Sequence, residues 1–88
     1  MVKGFQQITT LSAAAALTIP AGTRKALIQA EGQAVRWRSD GTDPTAAVGM
    51  RILTTADRPA EITLEMGLDA AKFIEETSGA KINVTYLG

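Results

Sequence analysis

Arg36, Trp37 and Arg38 are the residues whose types and spacing most suggest chemistry. Two guanidiniums flanking an indole can grip a carboxylate, a phosphate or a sugar. A plainer reading of the same three residues is preferred. On a strand, successive side chains take opposite faces. Trp37 then enters the core as its main anchor, and Arg36 and Arg38 lie on the solvent face, paired with acidic residues of neighbouring strands. Asp40-Gly41-Thr42-Asp43 places two carboxylates in one turn, and Asp57 supplies a third loop carboxylate. Calcium takes several oxygens from a flexible loop, but this spacing does not fit a twelve-residue calcium loop and no acidic residue closes it. Asp and Gly here serve to build the turn. Arg36, Arg38, Arg51, Asp40 and Asp43 are therefore read as candidate surface interaction residues, not as catalytic or metal-binding ones.

Glu61 and Glu65, with Glu75 and Glu76, could in principle act as paired carboxylates in acid–base work. That chemistry needs a cleft, which a chain of 88 residues seldom forms alone. Glu61, Thr63 and Glu65 alternate as the outward face of a strand does. The glycines stand singly near turns, and none belongs to a phosphate-cradling pattern.

Composition narrows the choice further. The chain has neither His nor Cys, which excludes the common zinc sites, Ser-His and Cys-His catalysis, and disulfides. Nine basic residues balance nine acidic ones, and Arg24-Lys25 is the only adjacent basic pair. Nucleic acid is not an expected partner, because phosphate affinity grows with the number of basic contacts. The expectation is a non-enzymatic protein without cofactor or metal.

The elements that position these residues are strands. Val35-Arg36-Trp37-Arg38, Glu61 to Met66 and Lys81 to Tyr86 alternate apolar and polar residues without a break. Lys25 to Glu31 alternates with Ala26, Ile28 and Ala30 on one side; Leu27 interrupts the other, which would suit a strand covered on both faces. Met50-Arg51-Ile52 is shorter, and Phe5 to Ile8 and Leu17 to Ile19 are weaker. Pro20-Ala21-Gly22, Glu31-Gly32-Gln33, Ser39 to Pro44, Asp57-Arg58-Pro59 and Ser78-Gly79 mark turns. The short link at Gly32 predicts a hairpin over residues 25–38. Residues 68–77 fit either a helix capped by Asp69 or a turn followed by a strand over Lys72 to Glu76; the strand is preferred, with Ser78-Gly79 closing a second hairpin. Ser12 to Ala16 is ambiguous, since five residues do not sustain a helix alone.

The fold class is therefore all-β: a small antiparallel β-sandwich or jelly-roll-like barrel of about seven to eight short strands. Residues 1–88 form one domain, in which residues 1–10 can serve as an extended N-terminal arm. An apolar fraction of 45% with only 5% aromatics gives an ordered but thin core. Without disulfides or metal, self-association is the remaining route to more buried area. Residues 1–10 lack the apolar stretch of a signal peptide, and Ser12 to Ile19 is far too short to span a bilayer. Synthesis in a reducing cytoplasm and no membrane partner are the expectations.

Leu17-Thr18-Ile19-Pro20-Ala21-Gly22-Thr23, Ala26 to Gln33, Val35-Arg36-Trp37-Arg38, Asp40-Gly41-Thr42, Pro44-Thr45 and Val48-Gly49-Met50-Arg51 form a distinctive series. Lys72-Phe73-Ile74-Glu75 and Gly79 to Tyr86 close it. Together they span about three-fifths of the chain and resemble small all-β structural proteins of tailed bacteriophages and prophages. The resemblance implies a virion component made in the bacterial host cytoplasm. A capsid cement or decoration protein is the role it points to, forming a homo-oligomer, with a trimer favoured, on a major capsid or other virion protein. A part of the tail or head–tail junction is the neighbouring alternative. A different class of reading is a carbohydrate-binding module using Trp37, Arg36 and Arg38. The resemblance brings no catalytic or binding residue with it.

Overall fold

The computed structural model describes residues 2–54 and 61–88. The Asp57-Arg58-Pro59 turn expected from sequence, with the Asp57 carboxylate, lies outside the described residues. Among the described residues eight strands follow one another: β1 (Val2–Ile8), β2 (Ala15–Ala16), β3 (Lys25–Glu31), β4 (Val35–Arg38), β5 (Met50–Ile52), β6 (Glu61–Leu64), β7 (Lys72–Glu75) and β8 (Lys81–Leu87). They form two four-stranded sheets, ordered β1-β8-β3-β6 and β2-β7-β4-β5, with every neighbouring pair antiparallel. The extents, 33 × 31 × 18 Å, suit two stacked layers, since facing sheets pack about 10 Å apart. The molecule is a small antiparallel β-sandwich of two separate sheets.

Alternation decides what each sheet buries. From the first sheet, Ala26, Ile28 and Ala30 of β3, Leu64 of β6, and Ile82, Val84 and Tyr86 of β8 enter the core. From the second come Val35, Ile52 and Phe73. Residues 68–71 turn and Lys72–Glu75 is extended, so the strand reading holds there. Ser12 to Ala16 contributes only the two-residue β2. The weak run Leu17 to Ile19 is not a strand. Thr18 N–H instead donates to Gln6 Oε1 at 3.1 Å, and the Tyr86 hydroxyl donates to the same oxygen at 2.5 Å. This network ties β1 to β8 and to the segment before β3. Residues 2–8, weak in the sequence pattern, pair with β8 as an edge strand, with a bulge between Val2 and Gly4.

The main correction concerns the hairpins. β3 and β4 lie in different sheets, and so do β7 and β8. Neither the 25–38 hairpin nor the one closed by Ser78-Gly79 exists. β3 is already flanked by β6 and β8, and β4 by β5 and β7, so a β3–β4 ladder has no free side to form on. The short links are arches that carry the chain across the core. The two arches pack together. Gly32 has φ +85°, and a Cβ placed there would lie 2.7 Å from the Gly79 carbonyl oxygen. Glu76 N–H donates to the Ala34 carbonyl at 3.1 Å. Among the described residues the one hairpin between consecutive strands is β4–β5, closed by the loop 39–49.

Trp37 also differs from its expected place. It faces inward but remains half-buried, its ring 6.5 Å from that of Phe73 and inclined by 30°. Phe73 and Tyr86 are the largest fully buried side chains, and Leu11, from the bend before β2, plugs the core beside them. The Leu11 carbonyl accepts from Glu75 N–H at 2.9 Å. Leu27 is half-buried on the outer face, which no further layer covers among the described residues.

Candidate functional site

The sequence candidates converge on one end of the second sheet. Strand alternation in β4 sends Val35 and Trp37 inward and Arg36 and Arg38 outward. Arg36 lies directly opposite Arg51 of β5. Two like charges facing across a strand pair repel, and Glu76 relieves that repulsion. Arg51 donates to it through Nε at 2.6 Å and Nη2 at 2.9 Å, a bidentate grip. Arg36 Nε lies 2.9 Å from Glu76 Oε2 as an ion-pair contact without hydrogen-bond alignment. Its Nη1 donates to the Gly49 carbonyl at 3.1 Å. The hydrogen bonds from Arg51 hold the Glu76 carboxyl below the usual carboxylate range, with the Arg36 charge adding to them. The Arg51 guanidinium is raised in turn.

Arg38 and Asp40 form a second bidentate pair, at 3.0 Å from Nε and 2.5 Å from Nη2. The hydrogen bonds from Arg38 lower the Asp40 carboxyl, and Thr42 N–H donates to it at 3.4 Å. Asp43 leaves this cluster and pairs with Lys72 at 2.9 Å. The two loop carboxylates thus serve different cations. Among the described residues no group of three or more His, Cys, Asp or Glu side chains is placed to hold a metal ion. Of the acids expected from neighbouring strands, the partner of Arg36 and Arg51 is Glu76, just past the end of β7 beside β4, whereas the partner of Arg38 is Asp40, from the loop after its own strand.

Between the β4–β5 loop and the sheet lies an open cleft of about 440 Å³, lined by Trp37, Arg38, Ser39, Asp40, Val48, Gly49 and Met50. Val48 and Met50 are exposed, at 52% and 64%. One flank of the indole therefore covers the core while another borders solvent. The loop is shaped locally: Thr45 N–H and Val48 N–H exchange bonds with each other's carbonyls, at 2.9 and 3.2 Å. Thr45 Oγ1 also accepts from Ala47 and Val48 N–H. Trp37, Arg38 and Asp40 share this cleft; Arg36, Arg51 and Asp43 do not line it. Sequence reasoning named Glu76 only among possible acid–base carboxylates and missed it as the hub of the arginine cluster. Its parity with Lys72 and Ile74 along the strand was the available signal. Val48 and Met50 gave none, because the pairing of β5 with β4, which sets Met50 opposite Trp37, and the closure of the loop bring them there.

A second surface is the outer face of the first sheet. Gln7 Nε2 donates to Asn83 Oδ1 at 2.9 Å, and Asn83 Nδ2 donates to Glu31 Oε1 at 2.9 Å and to Gln29 Oε1 at 3.5 Å. This polar row runs beside a mixed one of Phe5, Thr85, Leu27 and Thr63, with Phe5 exposed at its end. No helix among the described residues is long and apolar enough to cross a membrane. Comparison with family models, with curated proteins and with solved structures gives no match for this chain.

Proposed function

We propose that this chain is a non-enzymatic structural protein of a phage virion, a capsid cement or decoration protein that docks on the head shell as a homo-oligomer, with three copies favoured. The observation that carries this reading is the sandwich itself: a compact block whose first sheet ends in an exposed strand, β1, bearing Val2 and Phe5 at 63% and 66% exposure. Backbone donors and acceptors along such an edge suit docking against another chain. The candidate charged residues are internally paired, as supports of the surface and not as reactive groups. The resemblance of the sequence to tailed-phage structural proteins supplies the setting. The test is immunogold electron microscopy of gradient-purified particles induced from the strain that encodes the chain. Labelled head shells support the reading; label at the tail or the head–tail junction moves the protein there; particles without the chain refute it.

The Trp37 cleft favours a second reading, a carbohydrate-binding module. Sugar rings stack on aromatic faces, and the Arg38–Asp40 pair at the rim offers donors and acceptors to hydroxyls. Arg36 drops out of that reading, since it points to Glu76. A shift of Trp37 emission on adding glycans supports it, and unchanged emission across a glycan panel removes it.

A further inference from the structure

We propose that the two edges of the first sheet, β1 and β6, pair with each other between copies, closing a head-to-tail ring of this chain. The inference rests on the reading of the protein as a self-associating virion part and names the surface that does it.

Both strands are edges among the described residues, and they differ in charge. The single charge of β1 is that of Lys3; β6 and the residue after it carry Glu61 and Glu65. Pairing β6 with its own copy about Thr63 would set Glu61 against Glu65, a like-charge contact. Pairing β1 with its own copy leaves the β6 edge unused. Pairing β1 with β6 of a neighbouring copy brings opposite charges to one seam and uses both edges.

The register follows from the rows already in the sheet. Phe5 pairs with Thr85, Thr85 with Leu27, and Leu27 with Thr63. Gln7 pairs with Asn83, Asn83 with Gln29, and Gln29 with Glu61. An antiparallel β1 added beyond β6 continues both rows when its Phe5 faces Thr63 and its Gln7 faces Glu61. The exposed Phe5 then lies along the Leu27–Thr63 row. The Gln7 amide meets Glu61, a carboxylate with no ion pair or hydrogen bond among the described residues. The same register sets Gly4 opposite Leu64. A head-to-tail contact of this kind forms a ring when its rotation closes.

The absence of Cys makes the test clean. Phe5 and Thr63 are both exposed, so cysteines there leave the core intact. Within one chain they are separated by three strand spacings, about 14 Å, beyond the roughly 4.4–6.8 Å between Cα atoms that a disulfide spans. A bond between the two can form only between copies. In the F5C/T63C double variant, mild oxidation is expected to give a non-reducing gel ladder that ends at the oligomer mass of the wild-type chain by light scattering. F5C and T63C alone are expected to stay uncrosslinked. Matching circular dichroism melts of the reduced variants verify folding. Crosslinking of F5C alone would mean β1–β1 pairing and overturn the proposal. So would a double variant that does not crosslink, a ladder without an end, or a monomeric wild-type chain at millimolar concentration. Binding of the wild-type chain to particles is scored separately, so the virion reading can survive the loss of this interface.

Discussion

Replacing Gly32 by Ala tests the topology directly, because Gly32 touches Gly79 only if both links are arches between sheets. The added methyl has two consequences. At φ +85° an L-residue pays about 1–2 kcal/mol in the left-handed region, offset by about 0.4–1 kcal/mol from a less flexible unfolded chain. The methyl would also sit 2.7 Å from the Gly79 carbonyl oxygen. Forcing extra volume against packed backbone costs about 1–3 kcal/mol more. Gly41 is the matched control: its φ is +87° and nothing lies within 4 Å of an added Cβ. Gly32→Ala should therefore be less stable than Gly41→Ala by about 1–3 kcal/mol. For a domain of this size that corresponds to a midpoint lower by roughly 5–16 °C. Urea titration and thermal unfolding followed by circular dichroism measure both variants. Equal stabilities, within about 0.5 kcal/mol, would mean that the two arches do not touch. The packing of the sandwich ends would then have to be redrawn.

Phe73→Ala should destabilise by about 3–5 kcal/mol in chemical denaturation, since the ring is fully buried and supports Trp37; a loss below about 1.5 kcal/mol would place the core elsewhere. Glu76→Gln should be less stable than the wild-type chain at neutral pH. The Glu76 pKa is lowered by Arg51 and Arg36, so its contribution is present above the ordinary Glu value of about 4.3 and disappears as pH falls through the lowered pKa. A stability difference that persists unchanged into strong acid would contradict this. Burial raises the Tyr86 pKa, so the stability it contributes is present below about pH 10 and lost as pH rises through the raised value. Tyr86→Phe should abolish that alkaline loss while giving up about 0.5–1.5 kcal/mol from the bond to Gln6; an identical alkaline profile in both proteins would remove Tyr86 as the cause.

Much of the strand content was legible from residues alone. A period of two is a local property, and β3, β4 and β5 fall where the alternation of Lys25 to Glu31, Val35 to Arg38 and Met50 to Ile52 placed them. The outward course of Arg36 and Arg38 followed from the same parity. What failed was the joining of strands. A three-residue link at Gly32 serves a hairpin and an arch equally well, and nothing local separates them. The choice depends on which strands occupy the two sides of β3, and those come from residues more than thirty positions away. The candidate site divided along the same line. Trp37, Arg38 and Asp40 are neighbours in sequence and could be named from it. Val48 and Met50 join them only through strand pairing and loop closure, and Glu76 reaches Arg36 and Arg51 only through the pairing of β4 with β5 and β7.

The sequence by itself determined an all-β chain with alternating faces, a thin apolar core and no nucleophile or ligand set of the His or Cys kind, because these depend on residue type and spacing. Tertiary structure alone decided that successive strands other than β4 and β5 cross between sheets, that Trp37 covers the core from its border while Phe73 and Tyr86 fill it, and which strands are edges among the described residues. Those outcomes depend on which distant segments compete for the same backbone hydrogen bonds and the same buried space.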